Sequence, residues 1–480
     1  MENRAMETSL DVPEKFPAAK REGVRSTLAE ALSEMNRKIV VLDDDPTGIQ
    51  TVHDISVYTT WDKSTLLAGF KEDGTMFFIL TNSRALTGEQ TKKLHQEIAR
   101  NIAYAARETG KDFLVISRGD STLRGHYPLE TETLRQVLET ETGKRYDGEI
   151  VLPFFREGGR FTIGNVHYVQ EGERLIPAGQ TEFAKDPTFG YHASHLGAWC
   201  EEKTHGQYRA ESMIYLPLED LRANHMESLT TQLKSAENFQ KIIVNAADYG
   251  DVEVFCTALC RAVAAGKEYL FRSAAALPKV LGGVPDKPLL SPDELVISGD
   301  RHGGVVLVGS HVGKTTRQLE ALHRSSLPID YIEFNQHLVL TPNGLANEVQ
   351  RVAADADAYI AQGRTVVVYT RRDRVDLPNE DKEGQLRIAV EISAAVTDMI
   401  ARLTTRPRFI VAKGGITSSD VGTKALGVKR AIVMGQIAPG IPVWQTGAES
   451  KFPHIPYVIF PGNVGEDDTL RAVVERLLGA

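Results

Sequence analysis

Short runs of β-branched and aliphatic residues recur along this chain, each closed by a small or polar residue and followed by a stretch of helical period. Strands are predicted at 38–42, 55–60, 76–80, 113–117, 149–152 and 241–245, then at 304–308, 365–370, 408–412, 430–434 and 457–460. Helical patterns occupy 88–108, 251–265, 345–361, 385–403 and 467–478. Near-continuous apolar strands need cover on both faces, which is the situation of a parallel sheet with helices above and below. The rhythm breaks at 274–303, where Pro and Gly crowd together. The expected fold is therefore α/β: two domains, each a largely parallel sheet flanked by helices, with a cleft between them. Residues 1–35 read as an N-terminal extension, frayed or docked on a neighbour. Residues 36–275 form the first domain, 276–303 a linker and 304–480 the second domain.

Charge and cysteine usage narrow the function classes. The 480 residues carry 55 Lys+Arg against 64 Asp+Glu, a net charge of -9. That balance argues against a general nucleic-acid or anionic-membrane binder. Three cysteines without a Cys-x-x-Cys pair cannot build a disulfide framework and suit a reducing cytosol. The first 25 residues lack an apolar core for export, and no apolar run reaches the roughly 18 residues of a membrane span. A cytoplasmic protein is expected.

In open α/β sheets ligands sit beyond the carboxyl ends of strands, so the residues just after each strand carry the chemistry. After the first strand stand Asp43, Asp44 and Asp45, then Pro46, Thr47 and Gly48. Adjacent carboxylates repel unless a cation or a proton-transfer role offsets them, which points to a general base or a magnesium contact. A solvated acidic turn with Asp as helix cap is the plainer alternative. Thr81, Asn82, Ser83 and Arg84 follow the 76–80 strand, and Arg118, Asp120, Ser121, Thr122 and Arg124 follow the 113–117 strand. Arginine forks and small hydroxyls suit a carboxylate with several sugar hydroxyls, although these arginines would equally pair with the neighbouring aspartates. Arg160, Asp186 and His192, on an irregular stretch, are further pocket candidates.

The second domain opens with Gly309-Ser310 and Gly313-Lys314-Thr315, one residue short of a Walker A spacing. A stronger signal is Lys413, Gly414, Gly415, Ile416 and Thr417 with Ser418 and Ser419, where a strand meets a new helix. Glycine lets backbone approach a phosphate closely, and helix N–H groups favour its charge. Gly462 and Asn463 follow another strand, and Gly435 and Gly440 are predicted to lie in a compact turn between them. Glycines gathered at several strand ends favour a nucleotide.

Taken together these segments resemble the four-carbon acid sugar kinase family. The matching motifs are Asp44-Asp45-Pro46-Thr47-Gly48, Asn82-Ser83-Arg84, Arg118-Gly119-Asp120-Ser121-Thr122-Leu123-Arg124-Gly125 and, loosely, Pro153 through Arg160. In the second domain they are Gly309-Ser310, Lys413 to Ser418 and Pro461-Gly462-Asn463. The family commonly has Lys where Arg118 stands, and Ala where Asp43 stands.

The resemblance implies an ATP- and Mg²⁺-dependent kinase that phosphorylates the terminal hydroxyl of threonate, erythronate or an oxo-tetronate. Asp44 or Asp45 would accept the hydroxyl proton. Arg84, Arg118, Asp120, Ser121, Thr122 and Arg160 would bind the sugar acid, and Ser310, Gly414, Gly415, Ile416, Thr417 and Gly462 the nucleotide. No metal-ligand set is assigned. The expected partners are a sugar acid and ATP, with a homo-oligomer allowed and neither nucleic acid nor membrane. Two rivals stand beside this reading. Asp43-x-Asp45-x-Thr47 also fits a haloacid-dehalogenase-like phosphatase with Asp43 as nucleophile. A sugar-acid sensor regulated by nucleotide would need no chemistry at all.

Overall fold

The structure, a computed structural model, describes residues 8–9, 21–295, 299–373, 375, 382–462 and 464–479. Asn463 and most of the first 20 residues of the expected extension lie outside the described residues, as does the side chain of Ile416. Strands β1 (Thr8–Ser9), β2 (Lys38–Asp43), β3 (Ile55–Tyr58), β4 (Met76–Leu80), β5 (Phe113–Arg118) and β6 (Gly148–Leu152) come first. β7 (Arg160–Ile163), β8 (Val166–Glu171), β9 (Arg174–Pro177), β10 (Ile214–Leu216), β11 (Gln240–Val244) and β12 (Tyr269–Ser273) follow. The remainder are β13 (Val305–Val308), β14 (Ile329–Phe334), β15 (Thr365–Thr370), β16 (Ile410–Lys413), β17 (Arg430–Ala438), β18 (Ile441–Thr446) and β19 (Pro456–Phe460).

The chain divides into two compact units, residues 1–52 with 60–286 and residues 53–59 with 287–480. In the first unit the strand order β10-β11-β6-β12-β5-β2-β4 is parallel throughout. β2, β4 and β5 are buried along their whole length, as apolar runs covered on both faces must be. Helix Gly88–Thr109 starts with a Thr87/Gln90 capping box. Helix Tyr249–Ala264 is apolar nearly all round, so it needs a cover of its own. Helix Arg21–Met35 packs against it and buries Val24, Leu28, Ala31 and Met35, spaced to share one helical face. The stretch 160–177 forms a small antiparallel sheet, β9-β8-β7, with β1 at its edge.

The second unit orders its strands β3-β17-β18-β19-β16-β13-β15-β14. β19, β16, β13, β15 and β14 run parallel, whereas β3, β17 and β18 pair antiparallel. β3 belongs to this unit although its sequence lies within the first domain, because Ile55–Tyr58 pairs with Arg430–Val433. Gly435 and Gly440 do not share a compact turn. Gly435 sits inside β17 at a register shift, close to Leu290 and Lys287, and Gly440 lies in the tight connection to β18. A glycine at a bulge and a glycine at a turn look alike in sequence. Val306, Val308, Val411, Val458 and Phe460 form the core with Leu470, Val474 and Leu477 of helix Thr469–Leu478.

Candidate active site

In the first unit the carboxyl ends of β2, β4, β5 and β12 lie side by side, and main-chain bonds tie their loops together. Thr81 donates from both N and Oγ1 to the Asp43 carbonyl (2.9 and 2.8 Å), and Asp44 N donates to the Arg118 carbonyl (3.2 Å). The three aspartates consequently face different partners. Asp45 accepts from Thr47 N (2.8 Å), Thr47 Oγ1 (2.5 Å) and the Arg84 guanidinium. Asp43 is buried and accepts from Arg118 Nη1 (3.3 Å). Its carboxylate lies so close to Gly48 that a Cβ there would stand 2.0 Å from Oδ2, which explains the glycine. Asp44 is buried too, yet neither of its carboxylate oxygens accepts a hydrogen bond. Its nearest ion-pair contact is Arg118 Nη1 at 3.9 Å.

Burial pushes the Asp43 carboxyl up to about 7 against the pull of Arg118. Burial raises Asp44 as well, opposed by Arg84, Arg118 and Arg272. Asp120 behaves oppositely. Burial would raise it, but Arg84 and Arg124 hold it well below the ordinary carboxylate range. Arg84 Nη1 lies 3.4 Å from Asp120 Oδ1, Arg124 Nε donates to Oδ2 at 2.8 Å, and Thr122 Oγ1 donates to the same oxygen. Arg84 and Arg118 therefore brace the aspartates of neighbouring loops, the alternative the sequence left open.

The irregular stretch supplies the other side. Arg124 Nη1 lies 3.7 Å from Asp186, and the Phe183 ring stands 5.0 Å from the Arg124 guanidinium and 5.5 Å from that of Arg160. Arg160 Nε is buried without a hydrogen-bond partner. Ser121 is half-buried, and its carbonyl faces His167 Nε2 at 2.8 Å. His192 does not join this group: its side chain is exposed and meets Glu202 at 3.0 Å.

Three residues here escaped the sequence reading. Glu130 is buried and accepts from Ser83 Oγ (2.7 Å) and Ser117 Oγ (3.3 Å). His167 is buried between Thr162 Oγ1 and the Ser121 carbonyl, and burial lowers it to about 4. Arg272 is the penultimate residue of β12, a strand whose single arginine hides it from an apolar-run reading.

In the second unit the ends of β13, β16 and β19 meet at Gly309, Ser310, Gly414, Thr417 and Gly462. A Cβ on Gly309 would stand 2.7 Å from Thr417 Oγ1, one on Gly462 3.2 Å from Ser310 Oγ, and one on Gly414 3.3 Å from Ser310 Cβ. Gly414 also has φ +130°, where side chains are strained. A Cβ on Gly415 would meet open space. A cavity of about 230 Å³ begins at Gly309 and Thr417, and its far wall is one face of helix Lys382–Arg402: Ile388, Ala389, Ile392 and Val396. A glycine cluster beside a cavity with one apolar wall suits phosphates and a flat base.

Lys413 does not enter this cavity. It is fully buried, its Nζ donates to the Pro461 carbonyl (2.9 Å), and burial with Lys314 lowers it to about 7.

Among the described residues no three His, Cys, Asp or Glu side chains are grouped to hold a metal ion, and the Arg118 guanidinium already faces the Asp43 and Asp44 carboxylates.

The sequence matches the family model of a sugar-binding N-terminal domain over residues 39–281 and that of a nucleotide-binding C-terminal domain over residues 305–470. The chain belongs to the four-carbon acid sugar kinase family. The strand-end cluster around Asp44 thus lies in the sugar-binding domain, and the glycine cluster with its neighbouring cavity in the nucleotide-binding domain. No curated protein sequence matches the chain. Among solved structures, Haemophilus influenzae protein HI1011, described as DUF1537, is 18% identical over 91% of this chain and 100% of its own, with a TM-score of 0.61. A Salmonella typhimurium LT2 protein is 16% identical over 91% and 98%, with a TM-score of 0.62. At these identities the likeness speaks for the fold. Among the described residues no helix is long and apolar enough to cross a membrane.

Proposed function

We propose that this protein is an ATP-dependent kinase transferring a phosphoryl group to the terminal hydroxyl of a four-carbon sugar acid: threonate, erythronate or an oxo-tetronate. The observation that carries the reading is Asp44, a buried carboxylate whose two oxygens accept no hydrogen bond, at a strand end of the sugar-binding domain. A general base needs an oxygen free to take a proton, and burial raises its proton affinity toward the working pH. Asp45, with three donors already on it, is the weaker base.

Arg160, whose Nε has no hydrogen-bond partner, anchors the substrate carboxylate, while Asp120, Ser121 and Thr122 meet the hydroxyls. Arg84 and Arg118 keep the aspartates in place. In the nucleotide-binding domain Ser310, the Gly414–Thr417 backbone and Gly462 hold ATP phosphates, and the apolar helix face takes the base. Magnesium would arrive as the nucleotide's own counter-ion, held mainly by phosphate oxygens and water. Three buried, free cysteines agree with action in the cytoplasm. The phosphatase reading is less favoured, since Asp43, its nucleophile, has Oδ1 hydrogen-bonded by Arg118 and Oδ2, which accepts no hydrogen bond, packed on Gly48.

The test is ADP formation from Mg-ATP against threonate and erythronate stereoisomers and their oxo derivatives, with the product weighed by mass spectrometry. ADP that depends on one acid, with a phosphorylated acid, supports the kinase and selects its substrate. Phosphate released from a sugar phosphate without ATP would replace it with a hydrolase.

A further inference from the structure

Arg272 is a guanidinium sealed inside the sugar-binding domain, and the loop that follows β5 is cut to its shape. Its side chain is 3% exposed. Its hydrogen bonds run to main-chain carbonyls: Nη2 donates to the Arg124 carbonyl at 2.8 Å, and Nη1 to the Ser273 carbonyl at 3.3 Å. Nε donates no hydrogen bond. Burying a full charge this way is expensive unless the surroundings return something for it.

What the surroundings show is a loop wrapped round the fork. Gly119 N donates to the Ser273 carbonyl (2.9 Å), and a Cβ on Gly119 would stand 1.8 Å from Arg272 Nη1. At the other end of the loop, Gly125 has φ +121°. A Cβ there would stand 3.4 Å from Asp44 Oδ2 and 3.6 Å from Arg272 Nη2. At Gly119 the backbone must therefore pass the guanidinium without a side chain, whereas at Gly125 the backbone conformation requires glycine and a Cβ would be in ordinary contact with Arg272. Between them Leu123 takes a left-handed conformation, φ +69°, and its N closes a turn on the Asp120 carbonyl (3.1 Å).

We propose that Arg272 is the positioning residue of the sugar-acid site: its guanidinium is the buried form over which residues 119–125 fold, fixing Asp120, Ser121 and Thr122 beside Asp44. The consequence for substrate binding rests on the sugar-kinase reading above, whereas the consequence for the loop does not. Arg272 touches no substrate in this account and acts through the loop and through its charge near Asp44. Lysine can still reach one carbonyl, but it lacks the flat fork that Gly119 leaves room for.

The experiment compares full-length Arg272→Met and Arg272→Lys with the wild type by hydrogen–deuterium exchange and by steady-state kinetics with the sugar acid that the wild type phosphorylates. Arg272→Met is expected to speed exchange at least tenfold in peptides spanning 119–125, with peptides of 305–470 unchanged. It should raise KM for the sugar acid tenfold or more and lower kcat, leaving KM for ATP within twofold. Arg272→Lys should recover part of both effects. Wild-type protection of 119–125 in Arg272→Met overturns the proposal, and so does an equal rise in KM for both substrates. If Arg272→Met unfolds, the decision passes to Arg272→Lys, where an unchanged loop and unchanged KM would refute it. If the wild type turns over no sugar acid, the kinase reading fails, and the exchange arm still decides the loop.

Discussion

At the strand ends of the sugar-binding domain, side chains interlock: Arg84 with Asp45 and Asp120, Arg118 with Asp43, Arg124 with Asp120 and Asp186. At those of the nucleotide-binding domain, Gly309, Gly414 and Gly462 bring bare backbone together around Ser310 and Thr417. The difference teaches what each site tolerates. An interlocked cluster fails when one charge goes, because its partner is left buried and uncompensated. A backbone cradle tolerates loss of a hydroxyl but not the addition of a methyl group where a ligand or a neighbour must pass.

The largest effect should come from Asp44→Asn, which keeps size and removes the proton acceptor. A drop in kcat of about 10³-fold is expected, with KM for ATP nearly unchanged, as read by initial rates. Wild-type turnover would take the base out of this loop. Next comes Gly414→Ala, which adds a Cβ at φ +130° near Ser310 and Thr417. KM for ATP should rise about tenfold or more, while calorimetric binding of the sugar acid is unchanged. Loss of sugar binding instead would mean that the two sites do not fail separately.

pH offers a subtler contrast. Asp43, raised to about 7, is protonated below that pH, and Asp44 moves in the same direction. Activity that needs ionised Asp44 therefore falls as pH drops, because burial raises its carboxyl above the ordinary carboxylate range. Stability moves the other way. The folded state holds the Asp43 proton more tightly than the unfolded chain, whose carboxyl has a pKa of roughly 4. This contribution is therefore fully present below about 4 and is lost as pH rises through about 7. Asp43→Asn should flatten that part of a melting-temperature profile between pH 5 and 8, and an unaltered slope would contradict the assignment. The smallest effect is expected from Ser310→Ala. Among the described residues its Oγ accepts a single bond, 3.3 Å from Val312 N, so KM for ATP should change about two- to threefold.

Much of this contrast was legible in the chain. Asp44, Arg84 and Asp120 each follow an apolar run, and the rule that ligands meet strand ends puts them together. The glycines of the second domain were legible because backbone approach needs glycine whatever lies around it. Three things were not. The partner of each charge depends on which strands are neighbours, so whether Arg118 would brace Asp43 or hold substrate could not be read. Arg272 sits on a five-residue strand, Tyr-Leu-Phe-Arg-Ser, and a lone arginine there looks like an exposed position rather than a buried one. Ile55–Tyr58 reads correctly as a strand, but its partner, Arg430–Val433, is about 375 residues away in sequence, and chain continuity gives no sign of that pairing.

The most direct test of the kinase account is phosphorus NMR of the wild type and Asp44→Asn incubated with Mg-ATP and each four-carbon acid. The account predicts a new phosphomonoester signal that grows only with wild type, ATP and one acid together, in step with ADP. Inorganic phosphate without a sugar phosphate, or the same phosphomonoester from Asp44→Asn at the wild-type rate, would contradict it.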